Sequence, residues 1–220
     1  MERTIRVTGK GRLSVRPDTT RLILTTEGIQ ATYDRALEQS AAMTEELKNL
    51  FVGLGFQKDD LKTLAFHVSA EYESYQDRDK SWKKRFEGYK YIHRIKVEFP
   101  ADNKRLGQIL YVLGHAAVRP EIQIEYTVAE PEKCKNDLLA AAVADSMKKA
   151  DVLAKAAGVA LGDIVNIDYS WAELEFVSRP MNSMMLEECC MRSCEDSYDI
   201  DINPDDMDVT DSVTVVWALA

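Results

Sequence analysis

Three of the four cysteines crowd into one short stretch, Cys189-Cys190-x-x-x-Cys194, with Met181, Met184, Met185 and Met191 around them. Thiolate and thioether sulfur are soft donors that suit Cu(I), zinc or an iron–sulfur centre. A thiol of lowered pKa there would instead sense oxidants. The spacing argues against a metal. Zinc sites use paired cysteine knuckles and a set of four ligands, adjacent cysteines chelate one ion poorly, and no histidine lies nearby in sequence. The plain reading is packed or solvated thiols, Cys134 included, with no metal ligand and no cofactor assigned.

A second candidate is acidic. Asp199-x-Asp201-x-Asn203-Pro204-Asp205 begins like a calcium loop. Such a loop needs glycine at its sharp sixth position and a bidentate glutamate at its twelfth. Pro204 and Thr210 stand there, so a solvated acidic segment is the simpler reading. Of the three histidines, His93 falls on an apolar strand face and reads as a packed, hydrogen-bonded ring. His67 falls on a polar face, and His115 ends a helix, where a cationic ring answers the helix dipole. None has a Ser, Cys or Asp at a recognised spacing. No glycine-rich phosphate loop, nucleophile elbow or paired-histidine motif occurs. No catalytic residue is assigned.

The stretch from Arg78 to Arg85 carries Lys80, Lys83 and Lys84, with Trp82 and Phe86 interleaved as stacking platforms would be. Nucleic acid is nevertheless a poor partner for the whole chain, whose net charge is −9 with a pI near 5.0. A better match is the acidic segment of a neighbouring copy, a pairing that salt would weaken. No apolar run approaches the roughly 18 residues of a membrane span. No apolar leader precedes the first strand, which gives the expectation of a cytoplasmic protein with reduced thiols.

Elements that alternate or repeat must hold these groups. Ile5 and Val7, Leu13 and Val15, and Leu22 and Leu24 alternate with polar residues and read as three strands. Gly9 and Gly11, between the first two, mark a bulge or a close backbone approach. A helix follows, capped by Thr32 and stopped near Gly55, whose stripe Tyr33, Leu37, Ser40, Thr44, Leu47, Phe51 and Leu54 is softest in its middle. Leu64 to Tyr72 and Tyr91 to Phe99 alternate as the arms of a long hairpin whose tip protrudes. Asp102 caps a second helix, Ile122 to Val128 is a strand, and Pro131 opens a third helix with the stripe Leu139, Val143, Met147, Ala150, Leu153 and Ala157. Strands at Val165–Trp171 and Val213–Leu219 close the pattern. Residues 173–211 between them, rich in Met, Cys and Asp, read as an insertion that is partly disordered or ordered by a partner. The result is an α+β chain with antiparallel sheets and three main helices, one domain of two interlocked sub-lobes at about 1–100 and 101–220.

Several separated signatures resemble the SIMPL-domain family. These are Val7-Thr8-Gly9-Lys10-Gly11 with Pro17-Asp18, Gly88-Tyr89-Lys90 entering a strand, and the alanine-rich helix from Ala140 to Asp145 continuing through Lys148-Lys149-Ala150 to Ala157-Gly158. Leu161-Gly162 followed by Ile164-Val165 adds the exit from that helix. The resemblance implies an α+β fold and homo-oligomers. It brings in bacterial periplasmic proteins linked to oxidative-stress tolerance, an immunogenic member that builds ring-like particles, and an animal relative that binds a signalling kinase. It carries over no catalytic residue. The expectation is a non-enzymatic protein that assembles with itself through sheet edges and its hairpin. The alternatives are a module that docks another protein, and a ligand-binding or catalytic protein with a pocket between the sub-lobes.

Overall fold

The computed structural model describes residues 3–77, 79–169, 174–184, 193–194 and 197–220. Within them the chain forms β1 (Thr4–Val15), β2 (Thr19–Gln30), α1 (Tyr33–Gly53), β3 (Lys62–Gln76) and β4 (Trp82–Pro100). It continues as α2 (Asn103–His115), β5 (Glu121–Thr127), α3 (Pro131–Ala156) and β6 (Leu161–Asp168). It ends with β7 (Ser178–Met184), the two-residue strands β8 (Ser193–Cys194) and β9 (Ser197–Tyr198), and β10 (Met207–Leu219). The class is α+β, with antiparallel sheets and three helices. No described helix is long and apolar enough to cross a membrane.

Two compact units divide the contacts. One comprises residues 1–18, 127–178 and 204–220, the other residues 19–126 and 179–203. The chain therefore passes between units several times, and the division does not fall near residue 100. The cause is that β1 finds its partner at the far end of the chain, pairing antiparallel with β10 from Thr4↔Ala218 to Val15↔Met207.

In the first unit a three-stranded sheet, in the order β1-β10-β6, carries α3. β1 is one continuous strand where the alternation suggests two, because Gly9 and Gly11 sit inside its ladder and do not break it. Helix α3 buries Leu138, Ala142, Ser146, Ala150 and Ala154, a stripe of steps of four made of small residues after Leu138. Met147 and Leu153, expected inside, are exposed. A helix pressed onto glycine-bearing backbone has no room for long side chains beneath it. Ser146 Oγ donates to the Val7 carbonyl at 3.2 Å, Lys149 Nζ to the Thr8 carbonyl at 3.3 Å, and the Lys10 N–H to Asp145 Oδ2 at 2.7 Å. Three side chains of α3 thus bond backbone groups of β1, and since the Val7 and Thr8 carbonyls point to opposite edges of the strand, only part of this bonding falls on the edge away from β10.

The second unit is a five-stranded sheet in the order β3-β4-β2-β5-β7. Its core joins Leu22 and Leu24, Leu47 and Phe51, Ile95, Val97 and Phe99, four residues of α2 (Leu106, Ile109, Leu110 and Leu113), and Ile122, Ile124 and Tyr126. Thr32 caps α1 by accepting from the Arg35 N–H, and Asp102 caps α2 by accepting from Lys104 and Arg105. Gly55 at φ 87° follows α1 in the left-handed conformation that ends a helix.

Much of the stretch expected as an insertion is built into the units. Tyr198, Ile200 and Ile202 pack on the second core, and Leu174 packs with the buried Phe176 and Met207 in the first unit. β10 begins at Met207, so Asp208 and Asp211 are strand residues. Asp208 alternates with the apolar set Met207, Val209, Val213, Val215 and Trp217, and Asp211 interrupts that set in its own register, which hides the strand.

One buried carboxylate braces the five-stranded sheet. Glu125 is 3% exposed. It accepts from Arg179 Nε at 2.6 Å and Gln123 Nε2 at 3.1 Å, and lies 3.6 Å from Arg21 Nη1. Arg21 in turn donates to Glu98 at 2.7 Å. Both arginines keep access to water, so a lost partner is partly replaced. Glu125→Gln is expected to lower the free energy of unfolding by about 1–2 kcal/mol, read from urea unfolding midpoints. An unchanged midpoint would show that the carboxylate's charge contributes nothing.

Candidate functional site

Two features of the second unit stand out, an uncovered ribbon and a histidine-centred groove. The ribbon is the outer part of the β3–β4 hairpin. β4 pairs with β2 only from Tyr89 to Pro100, whereas it pairs with β3 back to Gln76↔Trp82. From Glu71↔Gly88 outward the hairpin stands as two strands, roughly 20 Å at about 3.3 Å per residue. Gly88 marks the junction, where a Cβ would meet the Gln30 carbonyl oxygen at 2.6 Å. A register shift between Glu71 and Tyr72 keeps Tyr89 and Phe86 on one face.

That face is aromatic. Tyr33, Tyr89, Phe86 and Tyr72 follow one another edge to face, with ring centroids 5.6, 5.4 and 5.7 Å apart. Trp82 joins them by register and is 73% exposed. Further down the same face, Tyr91 and Ile95 are buried in the layer that α1 covers. Helix α1 begins at Tyr33, so the apolar sheet face runs on past the end of its covering helix.

The opposite face of the ribbon carries charge. Arg85 pairs with Glu73 at 2.6 Å, and Lys83 pairs with Asp77. Between Glu71 and Glu87 five basic residues meet five acidic ones. Two residues of the basic tip read from the sequence, Lys83 and Arg85, are thus paired inside their own hairpin, and Lys84 lies by register between Phe86 and Trp82 on the aromatic face. Arg78 lies outside the described residues.

The groove lies between α1 and the β3–β4 part of the sheet. It has a volume of about 580 Å³ and is lined by Leu37, Ser40, Ala41, Thr44, Glu45 and Lys48 of α1, with Thr63, Phe66 and His93 from the strands. His93 Nδ1 is 3.0 Å from Thr44 Oγ1 and 3.4 Å from Ser40 Oγ, while Nε2 is 2.9 Å from Thr63 Oγ1. The Phe66 ring meets the imidazole edge to face at 5.1 Å. His93 is therefore the hydrogen-bonded strand histidine expected, and the hydroxyls around it are what sequence reading missed.

Burial, followed by the positive charge of Lys48, holds the His93 pKa below its ordinary value. The charged groups lining the groove with it are Glu45 and Lys48 of α1; β3 contributes Thr63 and Phe66. Because the folded-state pKa is the lower one, the unfolded chain takes up this proton first as pH falls. The stabilisation is complete above about pH 6.5 and is lost as pH drops toward the folded value. Wild type is expected to lose more unfolding free energy than His93→Asn between about pH 7 and pH 5.5, measured by urea denaturation. Parallel losses in the two proteins would contradict this.

The remaining sequence candidates are scattered. His115 Nδ1 donates to the Tyr111 carbonyl at 2.8 Å and so serves the end of α2. His67 is exposed on β3. Cys134 is a free, half-buried thiol whose pKa is pushed up by burial and by the charges of Asp137 and Asp18, the opposite of an activated thiol. Cys189 and Cys190, with Met185 and Met191, lie outside the described residues, and Cys194 falls in β8. Asp199, Asp201 and Asn203 point outward from an extended segment whose Ile200 and Ile202 pack inward. Among the described residues no group of three or more His, Cys, Asp or Glu side chains is placed to hold a metal ion.

The comparison with protein families decides the affiliation. The model described as SIMPL, protein of unknown function (DUF541), matches residues 5–217. The chain belongs to the SIMPL family. The match runs from β1 through β10, so the signatures at Gly9-Lys10-Gly11, Gly88-Tyr89 and the alanine-rich helix all fall inside it. In this SIMPL chain the signatures have local causes, since Gly9, Gly11, Gly88 and Gly162 face backbone, Ala142 faces Gly9 and Gly11, and Gly158 takes a φ of 70° at the end of α3. Among curated proteins none matches the chain.

Proposed function

We propose that this SIMPL protein works as a self-assembling, non-enzymatic module whose copies cover one another's hairpins. The observation that carries the reading is the aromatic face of the ribbon, which continues a buried core face beyond the start of α1. Trp82, Tyr72 and Phe86 are 73%, 53% and 45% exposed. Neighbouring aromatics left uncovered together mark an interaction surface more than they mark ordinary surface.

Backbone chemistry points the same way. β3 is an outer strand 15 residues long, and its Leu64 and Phe66 are exposed as well. A long apolar edge offers unpaired N–H and C=O groups to another strand. β1, the outer strand partly served by α3, offers less. A second copy is the fitting occupant because it brings the same aromatic face and the same strand. Ribbons related by a two-fold axis would bury both faces at once. Light scattering across a concentration series tests the reading. Assembly at micromolar concentration supports it, and a chain that stays monomeric at every concentration overturns it.

A further inference from the structure

We propose that the groove around His93 binds a small carboxylate with a flat apolar body, with Lys48 and Ser40 taking the carboxylate and Phe66, Leu37 and Ala41 forming the apolar wall.

Proton accounting is the first support. The Thr44 hydroxyl donates to the Ser40 carbonyl at 2.8 Å. Its oxygen can then only accept from His93 Nδ1, which therefore carries a hydrogen. In a neutral ring Nε2 is the acceptor, and it takes the Thr63 hydroxyl hydrogen. Ser40 Oγ is left 3.4 Å from a nitrogen that already has its proton. Ser40 is only 2% exposed, and among the described residues its O–H finds no other acceptor. A buried donor without an acceptor costs free energy that a ligand oxygen would recover. On the neighbouring strand, Thr26, paired with His93 in register, also has a buried hydroxyl with no hydrogen-bond partner among the described residues.

Charge gives the sign of the ligand. Glu45 is taken by Lys58. Among the described residues Lys48 makes no ion pair, and its charge is felt at His93. Lys58 and, behind it, Lys48 lower the Glu45 pKa, so Glu45 is shared between two lysines and the three groups together leave one positive charge at the groove. A doubly charged phosphate would need more donors than one ammonium and one hydroxyl, and it would leave the apolar wall unused. The volume is in the range of small-molecule sites, and the groove's open mouth suits weak, exchanging ligands. A second groove of about 580 Å³ presents Asp102 beside Lys104 and Arg105 and has no serine, threonine or histidine in its lining. It serves as an internal control.

The test is an NMR titration of the full chain with sodium benzoate, benzamide and inorganic phosphate, following the His93 ring and the Ser40, Thr44 and Thr63 amides. Benzoate is expected to shift these signals saturably at millimolar concentration, with benzamide and phosphate at least about fivefold weaker. Lys48→Met, at a half-exposed position, is expected to weaken benzoate by about fivefold or more with an unchanged melting temperature. Ser40→Ala supplies a second variant. Equal shifts with benzoate and benzamide, shifts as large around Asp102, or unaltered benzoate binding in Lys48→Met would overturn the assignment. The proposal does not depend on self-assembly, since the signals report on this groove whether the chain is monomeric or not.

Discussion

Gly9→Ala is expected to destabilise the β1–α3 unit by about 3 kcal/mol or more, the upper range for overpacking. In calorimetry that corresponds to a fall in melting temperature of roughly 6–12 °C. The added carbon would lie 1.9 Å from the Ala142 carbonyl oxygen, 2.5 Å from the Ser146 nitrogen and 2.8 Å from Ser146 Cβ. Two of these three are helix backbone, and no rotamer change moves them. Gly11→Ala meets the Leu138 carbonyl oxygen at 2.1 Å and is expected to behave alike. Relief requires α3 to rise off β1, which would stretch the bonds that Ser146, Lys149 and Asp145 make to the strand. The matched control is Gly53→Ala at the end of α1, where nothing lies within 4 Å of the new carbon. There a change between zero and a gain of about 1 kcal/mol is expected, because alanine lowers the entropy of the unfolded chain. If Gly9→Ala and Gly53→Ala melt together, the close seating of α3 is wrong.

The same two glycines show what could be read from the residues alone. Their spacing inside an alternating segment signals a close backbone approach, but not which backbone approaches. The partner, α3, is more than a hundred residues away, and nothing local names it. The helix stripes were legible where side chains are large, as at Leu47 and Phe51 of α1. In α3 the stripe held at Ala150 and in part at Leu139 and Val143 but not at Met147 and Leu153, because a stripe of alanine and serine carries little hydropathy contrast and those two carry more. The start of β10 was hidden for a related reason. Asp208 and Asp211 give that segment the look of a solvated loop, and Asp211 breaks the apolar alternation of Met207, Val209, Val213 and Val215 from within. At the groove the signal existed and was weak. Ser40 and Thr44 are one turn apart in an otherwise apolar stripe, and His93 stands on the apolar face of its strand. Polar groups in core positions need one another, so three of them on two facing elements were a contact waiting to be drawn. Thr63 and Lys48 carried no comparable mark.

Replacing both Tyr72 and Trp82 by serine is expected to dissolve the assembly while leaving the fold intact. Each exposed ring of the ribbon would bury roughly 100 Å² against a second copy, about half of what a fully buried aromatic side chain gives. At ~25 cal/mol per Å², removing two rings forfeits about 5 kcal/mol per copy. Even with half of that lost to imperfect packing, a dimer that uses both ribbons weakens on the order of a thousandfold or more. Multi-angle light scattering should then report the monomer mass of 24.9 kDa at concentrations where wild type is larger. Circular dichroism should be unaltered, since both residues are more than half exposed and neither holds the core. Salt separates this account from an electrostatic one. With Arg85 and Lys83 already paired to Glu73 and Asp77, added salt has little attraction between copies to screen. A second edge supplies the competing result. β6 exposes Ile164, Val165 and Ile167 on the outer strand of the other unit. If Ile167→Lys releases monomers and the Tyr72 and Trp82 replacements do not, copies meet through β6, and the aromatic ribbon has another occupant.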